Sequence, residues 1–283
     1  MKHLKLFESF YDEEQHFENR IIREVANFYY QKTGVEYIAS GAFGDAFLLS
    51  KDNTKVLKVT DDSDEALNAD ILRKLNIKGI VEYYDVREII VNGESKGLYS
   101  ILMERLKKPT NLEKRAFSLI KDTLLSDDGT NGLNLDYRGG LGTSEKYRLF
   151  LKLNPPEKIE EFIEILNSPF FPKNEEEQIT FYEKYYSQSG WRTAENFTET
   201  LANNTKYLKE SNFLTILKEY YFFYINVVKD FMKYKIKLDD FHLGNLGMKD
   251  VLPVAIDVGC RQFRKNAKLT LKPIEINFVE EDE

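Results

Sequence analysis

The sequence predicts an α+β fold: a small sheet crossed by one helix, then a long and mainly helical region. Three observations carry that expectation. Between Tyr37 and Leu106, short apolar runs alternate with turn-forming clusters and one stretch of helical period. After Pro109, apolar residues recur mostly at helical spacing. The chain has 283 residues, 42% hydrophobic and 31% charged, enough for a sizeable core in one large domain or two lobes.

The elements follow in order. Residues 8–32 place Phe10, Phe17, Ile21, Ile22, Val25, Phe28 and Tyr29 at helical spacing before Gly34, which predicts an amphipathic helix. Ala46–Leu49 and Val56–Val59 read as strands joined by the polar turn 50–54. Asp61–Leu75 returns to helical period, opened by the cap-like Asp62-Ser63-Asp64-Glu65. Residues 80–91 and 98–103 read as strands around an Asn92-Gly93 turn. Beyond them, Pro155-Pro156 and Pro172 interrupt helices, and 212–234 is the clearest helix of the chain. Leu246-Gly247-Met248 and Val254-Ala255-Ile256 predict a short hairpin.

Charge and composition exclude several functions. Forty basic against forty-seven acidic residues give a net charge of −7, which argues against a broad electrostatic grip on nucleic acid or anionic lipid. The single cysteine, Cys260, has no internal disulfide partner. No apolar run suits a signal peptide, and the stretch from Tyr220 to Val228 is too short for a membrane helix. The expectation is a cytoplasmic protein with neither nucleic-acid nor membrane partners.

Two clusters carry chemistry. Gly41-Ala42-Phe43-Gly44 places two glycines where a strand would turn, letting backbone N–H groups approach phosphate oxygens. Alone, such a pair between strands is usually just a hairpin, and it is the following strand that gives it a second meaning. Lys58 lies in the middle of the apolar run Val56–Val59, where an antiparallel return brings its ammonium under the loop; an edge lysine facing water is the alternative. Near the other end, Asp240, Asn245 and Asp257 flank the short hairpin. Two carboxylates and an amide oxygen suit Mg²⁺, which takes few protein ligands beside substrate phosphates. A polar turn capping its own backbone is the other reading, but it leaves Asp257 in its apolar setting unexplained.

Together these motifs resemble the protein kinase-like fold. On that resemblance Gly41–Gly44 is the glycine-rich loop and Lys58 the strand lysine. Met103 is the gatekeeper, Glu104 to Leu106 the adenine-binding backbone, Asp240 with Asn245 the catalytic loop, and Asp257-Val258-Gly259 the metal motif. It implies a two-lobed protein: a helical extension over 1–34, a first lobe over 35–106, and a helical lobe over 107–283. The last would hold an insertion at about 110–210 and the site loops at 238–260. It further implies ATP and Mg²⁺ as cofactors, with Asn245 and Asp257 on the metal and Asp240 as the catalytic residue.

The departures are informative. Ala39 takes the place of the first glycine, Asn68 falls where kinases carry the glutamate that pairs with the lysine, and Glu65 lies one turn earlier on the same face. Leu238-Asp239 replaces the His-Arg before the catalytic aspartate. His242 follows Asp240 by two residues, a form similar to aminoglycoside and other small-molecule phosphotransferases, and stands as a further catalytic candidate. Few residues follow Gly259, so the layout resembles a C-terminally truncated kinase; with the lysine-rich start it also resembles kinase-like proteins carried by phages, whose compartment would be the host cytoplasm. The expected reaction is phosphoryl transfer from ATP to a serine or threonine hydroxyl of a protein. The alternatives are a small-molecule hydroxyl or a pseudokinase that binds nucleotide as a scaffold.

Overall fold

Period-two burial organises the first part of the chain. The computed structural model describes residues 13–41, 44–75, 77–120, 147–148, 150–152, 154–167, 207, 210, 212–234, 236–239, 243–256, 259–262 and 271–278. Two compact units emerge: Met1–Asn76 with Glu82–Arg105 and Ala267–Glu283, and Ile77–Val81 with Leu106–Asn266.

In the first unit, α1 (Glu13–Tyr29) precedes β1 (Val35–Gly41), β2 (Gly44–Leu49), β3 (Asp52–Thr60), α2 (Ser63–Arg73), β4 (Tyr83–Val91) and β5 (Glu94–Glu104). A late strand, β10 (Lys272–Ile276), completes a six-stranded sheet in the order β1-β2-β3-β5-β4-β10. All pairings are antiparallel except β10 on β4, which is parallel. The fold class is therefore the α+β one expected. Residues 272–276 fall within the span expected for the helical lobe, where no strand was expected; they form β10 in the first unit, where Ile274 and Ile276 complete the core around Ile89 and Val91.

The two helices cover opposite faces. Ile21, Ile22, Val25 and Ala26 of α1 pack with Phe47, Leu49, Leu57 and Val59. The alternate face carries Ala66 and Ala69 of α2 against Val86 and Ile101. Phe28, expected on the buried stripe of α1, is half exposed, lying under the Arg87 guanidinium at 5.4 Å. The side chains of Phe10 and Phe17 lie outside the described residues. Asp62 caps α2 by accepting from the Asp64 and Glu65 N–H groups at 2.8 and 3.2 Å. The β4–β5 turn is tight because Asn92 and Gly93 both take positive φ, 51° and 80°.

The second unit holds α3 (Asn111–Leu119), α4 (Glu157–Asn167) and α5 (Phe213–Tyr234). Thr110 and Glu113 form a reciprocal capping box on α3. The inward face of α5 is aromatic: Tyr220 meets Phe117 of α3 edge to face at 5.8 Å, Tyr224 packs tilted on the same ring at 5.7 Å, and the Tyr221 hydroxyl donates to the Pro155 carbonyl at 2.6 Å. Two ladders follow, β6 (Ile236–Asp239) on β9 (Gly259–Gln262), and the expected hairpin β7 (Leu246–Lys249) with β8 (Leu252–Ala255). Most of the expected insertion at 110–210 lies outside the described residues. No helix among the described residues is long and apolar enough to cross a membrane.

Candidate active site

The interior position of β3, between β2 and β5, decides the fate of Lys58. Its neighbours Leu57 and Val59 point to the α1 face, so alternation sends Lys58 and Thr60 to the face covered by α2. There the Lys58 ammonium donates to Glu65 Oε1, and the Thr60 hydroxyl donates to Glu65 Oε2 at 3.0 Å. The pair is largely shielded, with side-chain exposures of 15% and 17%. Glu65, not Asn68, is the helix residue that meets the lysine. Thr60 was not singled out from the sequence, although its place two residues after Lys58 on one strand face was the signal available.

Gly41 and Gly44 close the β1–β2 ladder opposite each other. Gly44 has a second reason to be glycine. A Cβ there would lie 2.3 Å from the Val59 carbonyl oxygen and 2.8 Å from the Thr60 Cα, so β3 runs where a side chain would stand. Ala42 and Phe43 lie outside the described residues.

Met103 is buried near the end of β5, paired in register with Val56 and Tyr83. The next backbone donors are committed to the sheet. Glu104 N–H donates to the Glu82 carbonyl at 2.9 Å, and Arg105 N–H donates to Thr54 at 2.7 Å. Leu106 belongs to the second unit, where it packs on Gly247: a Cβ on that glycine would sit 2.6 Å from Leu106 Cβ.

The second unit brings together the flanks of the other expected residues. Asn245 ends a 3₁₀ turn over Leu243–Asn245, and its carbonyl accepts the Ile256 N–H at 2.8 Å. Asp239 pairs with Gly259 across the β6–β9 ladder. Thus the residue before Asp240 is held to one just after Asp257, and the residue before Asp257 is held to Asn245. Asp240, His242 and Asp257 themselves lie outside the described residues. By residue type the expected donor set, two carboxylates and an amide oxygen, is one that suits a hard divalent cation.

No protein-family model matches the sequence. No curated protein matches it either. Several solved structures align over most of its length at low identity. They include a streptomycin–ATP–APH(2")-IIa ternary complex, at 17% identity over 84% of this chain and 69% of that one, with a TM-score of 0.30. Aminoglycoside phosphotransferase APH(4)-Ia aligns at 10% identity over 75% of this chain and 99% of that one, with a TM-score of 0.31. ADP-bound aminoglycoside phosphotransferase APH(2'')-Ib aligns at 16% identity over 85% and 70%, with a TM-score of 0.28.

Proposed function

We propose that the chain is an ATP- and Mg²⁺-dependent phosphotransferase that acts on a small-molecule hydroxyl. The Lys58–Glu65 ion pair carries the nucleotide part of this reading. A shielded ammonium on an interior strand costs desolvation and rotamer freedom and adds nothing to apolar packing. A role in orienting the α- and β-phosphates of a nucleotide accounts for keeping it, with Glu65 and Thr60 fixing the rotamer. The Glu104 carbonyl and Leu106 N–H would flank the base beside Met103, and Gly41–Gly44 would cover the phosphates. Asp240 would accept the proton of the attacking hydroxyl or align it, with His242 as a second contact to the acceptor. Mg²⁺, held by Asn245 and Asp257, would neutralise charge on the β- and γ-phosphate oxygens. Phosphoryl transfer needs positioning and charge neutralisation more than covalent help, so these residues suffice.

The residues around the expected catalytic loop support a small acceptor over the protein hydroxyl: His242 follows Asp240 by two residues, a form similar to small-molecule phosphotransferases. Strand β9 ends at Gln262, and β10 begins at Lys272, already pairing with β4. Nine residues, 263–271, lie between the two strands, few for a segment on which an extended acceptor peptide would be laid. The test is incubation with γ-labelled ATP, Mg²⁺ and a hydroxyl-bearing metabolite extract, followed by separation of protein from small molecules. The expected result is label in the small-molecule fraction, lost in Asp240→Ala and Asp257→Asn. Label on protein alone would restore the protein acceptor. Mg·ATP binding without any transfer would leave a nucleotide-binding scaffold.

A further inference from the structure

The β2–β3 turn carries more hydrogen bonding than a surface turn requires, and one cluster of it converges on Asp52. One carboxylate oxygen, Oδ2, accepts from the Tyr30 hydroxyl at 2.8 Å, just beyond the end of α1. The other, Oδ1, accepts from both the backbone N–H of Thr54, at 3.1 Å, and its hydroxyl. Lys55 closes the cluster: its ammonium donates to the Tyr30 hydroxyl at 2.7 Å, sits 3.1 Å from Asp52 Oδ2, and lies over the rings of Tyr30 and Tyr84. The bonds from Thr54, and after them Tyr30, hold the Asp52 carboxyl well below the usual carboxylate range.

The residues fixed by Asp52 hold in turn the chain leaving β5. The Thr54 carbonyl accepts the Arg105 N–H at 2.7 Å, and the Arg105 guanidinium donates to the Asn53 carbonyl at 3.2 Å. Arg105 lies between Glu104 and Leu106, the two residues assigned above to the nucleotide base. A run of contacts therefore leads from Tyr30 through Asp52 and Thr54 to the backbone of Arg105, all within the first unit.

We propose that Asp52 is a positioning residue for nucleotide binding, through which the N-terminal helix sets the backbone between Glu104 and Leu106. This rests on the reading of that backbone as the base-binding segment. A partly exposed ion pair contributes little to stability by itself, so the value of the cluster lies in where it holds Thr54. Loosening Thr54 frees the Arg105 N–H and blurs the placement of its neighbours, which weakens ATP binding without touching the groups at the transferred phosphate.

Two measurements on the full chain test it. Hydrogen exchange of a peptide spanning 103–107, in the absence of nucleotide, is expected to speed up at least threefold in Asp52→Ala and Tyr30→Phe. It should stay unchanged in Lys96→Ala, which breaks an ion pair on the other exposed turn of the sheet. The Kd for Mg·ATP and the KM for ATP are expected to rise threefold to tenfold in the first two variants with kcat within twofold, a split that general destabilisation would not produce. Unchanged exchange overturns the tether whether or not nucleotide binds. Faster exchange with unchanged ATP affinity overturns the positioning role alone. A wild-type chain that fails to bind Mg·ATP overturns the base-binding reading, and the positioning role with it.

Discussion

Removing the Glu65 carboxylate tests the centre of the proposed site. Glu65 accepts from the Lys58 ammonium and from the hydroxyl of Thr60, a residue only 1% exposed. A hydrogen bond to a charged group contributes about 1.5–3 kcal/mol, and an orphaned buried hydroxyl costs about 1–3 kcal/mol. Both figures fall toward their lower ends here. Lys58 keeps some access to water along its flexible stem, and the Thr60 oxygen still accepts from the Asp62 N–H at 3.1 Å. Glu65→Ala is therefore expected to lose about 3 kcal/mol in urea denaturation. Glu65→Gln keeps an amide oxygen for the donors and gives up only the ionic part, about 1 kcal/mol. In a double-mutant cycle with Lys58→Met, the coupling should be about 1–2 kcal/mol. ATP turnover is expected to fall at least tenfold in Glu65→Gln, since the ammonium is no longer held in one place. If Glu65→Ala stays within about 0.5 kcal/mol of wild type and the cycle shows no coupling, the pair does not organise this face of the sheet, and the phosphate role of Lys58 loses its support.

Two further perturbations reach other parts of the chain. Gly247→Ala puts a methyl group 2.6 Å from Leu106 Cβ and 3.1 Å from Ile256 Cδ1; a loss of about 1–3 kcal/mol by thermal or urea unfolding is expected, together with weaker ATP binding by calorimetry as Leu106 gives way. Burial lowers the pKa of Lys158 from 10.5 to about 8, so between those values the unfolded chain binds more protons than the folded one and stability rises with pH. The full penalty is present below pH 8, so the stability of Lys158→Met relative to wild type should fall as pH rises from 8 toward 10 in parallel urea titrations, while the Asn154 oxygen that loses its donor adds a cost independent of pH.

Local signals made most of these elements legible. Asn92-Gly93 announced a two-residue turn because few other residue pairs accept positive φ at both positions. The α2 cap, the α5 stripe and the β7–β8 hairpin were likewise written in contiguous residues. What escaped was non-local. The Ile-x-Ile of β10 is too short a pattern to stand out, and its partner β4 lies far back in the chain, where nothing in the intervening sequence specifies a parallel register. The hydrogen bonds of Asp52 are similar: Asp-Asn-Thr reads as a generic polar turn, and only the folded sheet brings Tyr30 and Arg105 to it.

Lys58 illustrates why motif and environment must be argued separately. A lysine flanked by Val56, Leu57 and Val59 has two physical outcomes from the same local pattern: a solvated edge, where charge blunts aggregation, or an interior strand, where charge must be partnered. The choice is made by β5, which pairs with β3 on the side away from β2 and leaves the lysine no edge to face. That pairing joins Lys58 to Ile101 in register, so the partner that excludes the solvated outcome lies forty-three residues further along the chain. Once β3 is interior, the ammonium needs a counter-charge on the covered face, and the first turn of α2 supplies one. Glu65 lies in that turn and Asn68 carries no charge, so placement of the helix cap by Asp62 selects the residue that answers the lysine.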